Sequence, residues 1–578
     1  MKFYTRLAIA GACVCSLASC YELDLNPHEE VSQQVFWQTE AQVKQGVMGV
    51  YDCMKRTGES DTPNAAYFGN YFLLDALSDI AIAKPFAALE NGTSTDRTEA
   101  YLEKWKGMYD GIAIANHALQ NIPAADMAEE DRNVYLAEVR FLRGLFYFHL
   151  LDFYGGVPLY DESWNLAETY DKMLEPRSTA EQVRTFILAD LDYAARHLPY
   201  AWSAADYGRV TKAAAVALRG KVYLYAGEWE KAKADFQDLV DHNSTYGCAL
   251  NPDYAAMFKP GTDANPEMIL FISNSGGAGD SNDGMKMAFY HGNRSTYGSG
   301  WASSSLDPDF ADTYELKNGK PFNWNDYIPG YNEMKPAQKL KALSCQQKNG
   351  VATAYPKYHR QIMQAYSDRD PRLNQTCITP YDSILGWNAN QARMMEYVIF
   401  ETAGPKATNG YVEQAVSRWY YFRKFVPEGD WDGRITDRNH TPVNFPLIRY
   451  ADVLLMLAEC YNELGDVNEA VKYINLVRAR PSTGMPGLNS GPAWLEARTK
   501  EQVQERLMHE RGVELAGEGI RYSDIRRWRV AEKLCNRTKK EIHGNKRQDT
   551  KFTQRDYLWP IPGTEIEMNT KLTQNTGW

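Results

Sequence analysis

The sequence predicts a mainly α fold, in which tetratricopeptide-like helix pairs form a scaffold and a long irregular, loop-rich region packs on it. Three observations carry that prediction. Apolar residues recur at helical spacing over long stretches toward both ends of the chain. One set of small and aromatic residues repeats at the same offsets in two distant segments. Between those segments, residues 246–439 are dense in Gly, Asn, Ser, Pro and aromatics, and the helical period is lost.

The first 19 residues read as a processing signal. Lys2 and Arg6 supply a positive start, and Leu7 to Leu17 form an apolar stretch too short to span a bilayer. Leu17-Ala18-Ser19-Cys20 has the lipobox pattern of a hydrophobic residue, two small ones and a cysteine. Cys20 is therefore the expected first residue of the mature chain and the expected site of lipidation. Several acyl chains on one residue give stable anchoring, because each buried CH₂ contributes about 0.8 kcal/mol. Losing Lys2 and Arg6 takes the formal charge from −11 to −13, a balance that disfavours nucleic acid and anionic lipid heads.

The scaffold is expected over about 30–245 and 440–540. Val134, Ala137, Phe141, Leu145, Phe148 and Leu151 predict a helix over 133–153, ended by Gly155-Gly156 and Pro158. A second helix starts at Ser178-Thr179, with Ser178 and Glu181 at capping-box spacing, and stops at Pro199. Gly220, Tyr223, Gly227, Ala232 and Phe236 then recur as Ala458, Tyr461, Gly465, Ala470 and Ile474. This is the tetratricopeptide pattern: small residues let paired helices approach, and the glycine serves the turn. Gly144, Tyr147 and Leu151 echo it weakly, until Gly155 breaks the pattern. A structureless loop as long as 246–439 is implausible in a compact domain, so short strands and helices are expected there. No Pro/Ser linker divides residues 20–578 into separate domains.

Catalytic and metal signatures are missing. The closest histidines, His117 and His149, are too far apart for a local zinc motif, and no GxSxG elbow or P-loop occurs. Asp280 to Gly284 fails as a calcium loop and reads as a polar surface turn. Glu510, Arg511, Glu514, Glu518, Arg521, Asp524, Arg526 and Arg527 stand at helical spacing and read as a structural salt-bridge lattice. Cys53, Cys248, Cys345, Cys377, Cys460 and Cys535 are scattered and read as free buried thiols. No catalytic residue, metal ligand or cofactor is assigned.

Seven motifs in order then resemble the SusD/RagB family of outer-membrane nutrient-binding lipoproteins. Phe36-Trp37 with Gly46 and Gly49-Val50-Tyr51 looks like the family's opening helix. FLRGLFYFHLLDFYGGVPLY (141–160), PRSTAEQVRTFILADLDYA (176–194) and GRVTKAAAVALRGKVYLYAGEWEKA (208–232) follow. PLIRYADVLLMLAECYNELGD (446–466), ERGVELAGEGIRYSDIRRW (510–528) and LWPIPGTEIEMNTKLTQNTGW (558–578) close the series, the last within a family motif over 555–578. Gly512, Gly517 and Ile520 depart from the pattern as packing changes, and residues 261–439 match only loosely. Glu22 and Asp24, just after Cys20, resemble the surface-export signals of some outer-membrane lipoproteins. The resemblance implies a lid over a SusC-type TonB-dependent barrel transporter, anchored by lipid on the outer membrane and facing the exterior. It implies capture and delivery of cargo without covalent chemistry.

Glycan cargo sets a physical requirement. A sugar ring offers an apolar C–H face to an aromatic and a polar rim to amides and carboxylates. By analogy with base stacking, each platform contributes about 1–3 kcal/mol. Tyr and Trp suit such surfaces, and the chain has 37 and 14 of them against 21 Phe. Phe141, Phe146, Phe148 and Tyr223 lie in core helix stripes and are set aside. Among loop aromatics the candidates are Tyr297, Trp301, Trp324, Tyr327 and Trp387. Asn70, Asp75, Asp79, Asn91 and Asp96 are candidate hydrogen-bonding groups from the early half. Peptide or glycoprotein cargo for the same lid, or a tetratricopeptide adaptor binding a protein partner, are the alternatives.

Overall fold

The computed structural model describes residues 36–55, 68–164, 173–261, 265–276, 284–413 and 418–578. The signal segment, Cys20 and the Asp280–Asp283 part of the polar turn lie outside the described residues.

The scaffold is built from helix pairs. After α1 (Glu40–Asp52), α2 (Glu99–Asn121) packs on α3 (Glu129–Tyr154). Glu129, Glu130 and Asp131 occupy the first turn of α3, where carboxylates complement the exposed N–H groups. From Tyr135 to Tyr154 this helix is buried on nearly all sides, and Phe141, Phe146 and Phe148 lie in the core. Tyr223 is only half-buried, with Lys231 over its ring. α3 pairs with α4 (Ala180–His197), where Gly144 lies beside Leu191. The broken third echo is thus a genuine helix pair whose turn is replaced by the excursion 155–179. The cap of α4 falls one residue later than the sequence spacing suggests. Thr179, not Ser178, accepts from Gln182 N–H, and the Gln182 side chain returns the bond.

The two strong repeats form α5 (Lys212–Tyr225) with α6 (Trp229–Asp241), and α7 (Tyr450–Glu463) with α8 (Val467–Arg478). A Cβ on Gly220 would sit 2.7 Å from the Phe236 ring, so only glycine permits this approach. The pairs are not consecutive in sequence, yet they meet: α6 packs on α7, and Tyr461 and Tyr473 both donate to Gln237.

Behind α7, helix α9 (Lys500–Leu515) and α10 (Arg521–Arg527) carry the charged run into the interior. Its partners come mostly from distant segments, not from neighbouring turns of the same helix. Glu514 accepts from Arg372 (2.8 Å), Arg449 (2.7 Å) and Arg480 (2.6 Å). Glu510 takes Arg372 and Arg478, and Glu518 takes Arg449 and Lys424. All of these side chains are almost wholly out of solvent. Buried charges persist only when paired and hydrogen-bonded, and here each guanidinium bridges carboxylates from different segments.

The loop-rich region has a core of its own, from Leu306 through Trp324, Tyr366 and Phe422 to Val513 and Ala516 on the scaffold side. Short two-stranded sheets stitch it down. β1 (Ala81–Ala83) pairs with β3 (Ser304–Leu306), and β2 (Met268–Ile272) with β6 (Phe445–Arg449), both antiparallel. β4 (Ser383–Asn388) and β5 (Gln391–Glu396) form a projecting hairpin. Ala389 and Asn390 both have positive φ at its two-residue turn, the geometry that suits the twist of paired strands. All six cysteines among the described residues are free and buried.

Candidate functional site

The segment Met285–Ala302 folds into a closed loop with its ends bonded together. Its first turn is pinned where Ala288 N–H donates to Thr441 Oγ1 at 2.9 Å. The loop closes where Trp301 N–H donates to the Phe289 carbonyl (2.8 Å) and Ala302 N–H to that of Gly292 (2.7 Å). A Cβ on Gly300 would meet the Gly292 carbonyl oxygen at 2.3 Å, so glycine is needed for the two arms to touch. Inside, His291 stacks on Phe422 at 4.2 Å. Burial, reinforced by Lys424, pushes its pKa down to about 3, so it serves as neutral packing.

On the outer side of this loop the aromatics gather. Trp301 is 52% exposed, and its inner side rests on Phe289 with ring centroids 4.7 Å apart. Tyr297 meets Trp387 at 5.0 Å, and its hydroxyl reaches the Thr436 carbonyl at 3.3 Å. Trp387 comes from the end of β4, held to the loop by its own N–H on the Ser295 carbonyl (2.7 Å). Arg438 links the two halves: it donates to the carbonyls of Gly298 and Ser299 and lies 4.8 Å from the Phe289 ring centre. Exposed Arg294 lies 6.0 Å from the Trp301 ring centre. Two aromatic pairs, Phe289–Trp301 and Tyr297–Trp387, are thus carried by one closed loop, with the Arg438 guanidinium over Phe289; this surface is called the ledge below.

Of the aromatic candidates, the loop brings Tyr297 and Trp387 into contact and carries Trp301 on Phe289. The ledge does not include the other two aromatic candidates. Trp324 is a correction: it is 6% exposed, packs on Tyr331 and Tyr366, and donates from Nε1 to Asp312 at 3.1 Å. Its polar neighbours in sequence hid the fact that its ring completes the second core. Tyr327 is half-buried on Phe322 and donates to Asp368. Three of the early polar candidates, Asn70, Asp75 and Asp79, are also corrected. Asn70 and Asp75 are buried, and Asp75 accepts from Gly517 N–H at 2.7 Å. Asp79 is bound to Arg521 by two bonds of 2.8 and 2.9 Å. Asp75 and Asp79 tie the early chain to Gly517 and to α10, because a buried N–H and a guanidinium there need acceptors. Asn91 is exposed and closes a local turn onto Thr93, and the Asp96 carbonyl accepts from Gly563 N–H.

Phe289, Arg294 and Arg438 were not singled out from sequence. Phe289 sits in a short apolar run that reads as core. Arg438 sits in a polar stretch, Asp437 to His440, with no periodic signal, and only tertiary approach gives it a ring to cover.

Chemically, the ledge offers flat apolar faces whose positions are fixed before any ligand arrives, with the exposed Arg294 guanidinium beside Trp301. A pre-positioned platform loses little side-chain freedom on binding, which favours affinity.

Comparison with known proteins gives a consistent result. Residues 266–578 match the family described as the SusD family, and residues 23–224 match one described as starch-binding associating with outer membrane. SusD-like protein P2 of Formosa agariphila is 25% identical, the alignment covering 97% of each chain. A solved SusD-like carbohydrate binding protein from Bacteroides fragilis superposes with a TM-score of 0.74 at 24% identity, covering 93% of this chain and 100% of that one. A solved laminarin binding SusD-like protein has a TM-score of 0.64 at 23% identity, covering 94% and 100%. At these identities the solved structures establish the fold alone. Among the described residues no helix is long and apolar enough to cross a membrane.

Proposed function

The chain belongs to the SusD family, and from that premise we propose that it captures glycan on the ledge of Trp301, Tyr297 and Trp387. The observation that carries this reading is Trp301, with half its surface bare in a loop closed by backbone bonds. An indole that served only packing would be covered, as Trp324 is. Relatives whose names say carbohydrate, laminarin or starch binding support the cargo class. The protein binds and does not cleave. Lipid on Cys20 holds residues 20–578 to the outer membrane, on its outer face. A SusC-type TonB-dependent barrel receives the cargo.

The test is a screen of the purified protein against a glycan array and polysaccharide-containing native gels. Binding of at least one glycan, with no product released on prolonged incubation, is the expected result. Binding of peptides with no glycan bound would move the cargo to the peptide class. Mild detergent extraction of native membranes should bring a large β-barrel with the protein, and Cys20→Ala should leave the membrane fraction when that barrel is absent.

A further inference from the structure

The loop at 318–332 and the single turn Ala493–Leu495 enclose an open groove of about 600 Å³. It shares no residue with the ledge. Its aromatic wall is Trp494, which is 43% exposed and was not among the loop aromatics singled out from sequence. The Trp494 Nε1 donates to the Asn318 carbonyl at 3.2 Å, and the following residue, Leu495, is buried. The indole is therefore held at both ends while nearly half of it remains bare. Phe322 and the buried Trp324 line the groove with it.

The polar lining is equally fixed. Asn323 accepts through Oδ1 from Asn325 N–H and from Asn332 Nδ2, both at 2.9 Å. Those bonds leave Asn323 Nδ2 and Asn332 Oδ1 without a partner among the described residues. Asp312 is held between Trp324 Nε1 and Arg369 at 3.1 and 3.0 Å. Lys320, the cation in this lining, is already paired with Asp326 at 2.9 Å. With Lys320 shared with Asp326 and the Asp312 carboxylate in the same lining, the groove has no net positive charge to draw phosphate or carboxylate. A groove whose walls are aromatic and whose rim is amide and carboxylate suits a neutral ring bearing hydroxyls.

We infer that the Trp494 groove is a second carbohydrate subsite, where a sugar ring stacks on the indole while Asn323, Asn332 and Asp312 bond its hydroxyls. The inference rests on the glycan reading of the ledge. A polymer that spans both platforms makes its second contact intramolecularly, so retention rises without tighter individual sites.

The experiment labels the full mature protein with 5-fluorotryptophan and follows the indoles by fluorine NMR. Trp301, Trp387 and Trp494 are assigned through their phenylalanine variants. Laminarin, starch, xylan, mannan and pectin are the probes. The expected result is that a polymer shifting Trp301 and Trp387 also shifts Trp494. Trp494→Ala should then lower the apparent affinity for that polymer threefold or more, with an unchanged melting temperature. A polymer that moves Trp301 and Trp387 but leaves Trp494 still, or binds Trp494→Ala equally well, overturns this inference and leaves the ledge standing. A shift at Trp494 alone supports the groove and removes the ledge. No shift at any of the three with any polymer overturns both.

Discussion

Around Glu514 three arginines lie out of reach of solvent, whereas at Trp301 half of an indole is bare. In sequence the first region reads as a salt-bridge lattice along one helical run and the second as a loop with a candidate stacking aromatic. The structure draws most of the lattice's partners from other segments of the chain and leaves Trp301 half bare. The charges in the lattice are spent on other charges of the same chain, and most pairs join segments far apart in sequence. The Trp301 face has no such commitment, and the bonds that position it come from backbone. Function on a scaffold like this one resides in groups that the fold holds without consuming.

The contrast breaks most readily at Glu514. Glu514→Ala leaves three buried guanidinium groups short of an acceptor, and losing one partner of a buried pair costs about 3–5 kcal/mol. Thermal and denaturant melts should show a large loss, with ligand affinity retained in whatever remains folded. Lost affinity with an unchanged melt would mean that the lattice is the site.

Trp324→Ala sharpens the distinction between two kinds of loop tryptophan. Removing this covered ring should cost about 3 kcal/mol by leaving a cavity in the second core. Calorimetric titration with an oligosaccharide too short to reach the Trp494 groove should be unaffected. A normal melt with weakened ledge binding would return Trp324 to the site.

Acid separates the regions without mutation. Burial alone would raise the Asp524 pKa, but Arg511 and Arg527 prevail and hold it down to about 2, below its ordinary value of 3.8. A carboxyl with a depressed folded pKa contributes stability above its unfolded value and loses it as pH falls through the folded one. Stability from this pair should therefore be complete above about pH 4 and decline between about pH 4 and 2, as read by melts across that range. Asp524→Asn should flatten the decline.

The smallest free-energy change is expected at the ledge. Trp301→Ala and Trp387→Ala should each weaken glycan binding about tenfold, equivalent to about 1.4 kcal/mol, since each removes one stacking face. The melting temperature should barely move for Trp301→Ala. Retained affinity with a lowered melt would show that these rings are wedges after all.

Much of the fold was legible because it is written locally. The offsets from Gly220 to Phe236 and from Ala458 to Ile474 state how closely two helices approach, and that spacing survives in any context. The echo at Gly144 was legible too, although the excursion after Gly155 obscured its partner. The site was legible only in part. Tyr297, Trp301 and Trp387 were read as loop aromatics among small polar residues, but Trp324 has the same setting and proved covered. Asp75 and Asp79 looked like free acceptors until the tertiary structure brought Gly517 and Arg521 to them.

The sequence by itself determined the helix pairs, their repeat and the membership that nearly end-to-end motifs imply, because helical periodicity and close-packing glycines act between near neighbours in the chain. Only the tertiary structure decided which loop aromatics are bare, which acids are consumed in the lattice, and that Arg438 binds the two halves of the ledge. Exposure depends on which other elements the fold brings against the ring. A tryptophan's flanking residues carry no record of whether Tyr331 and Tyr366 will cover it, as at Trp324, or leave it half bare, as at Trp301.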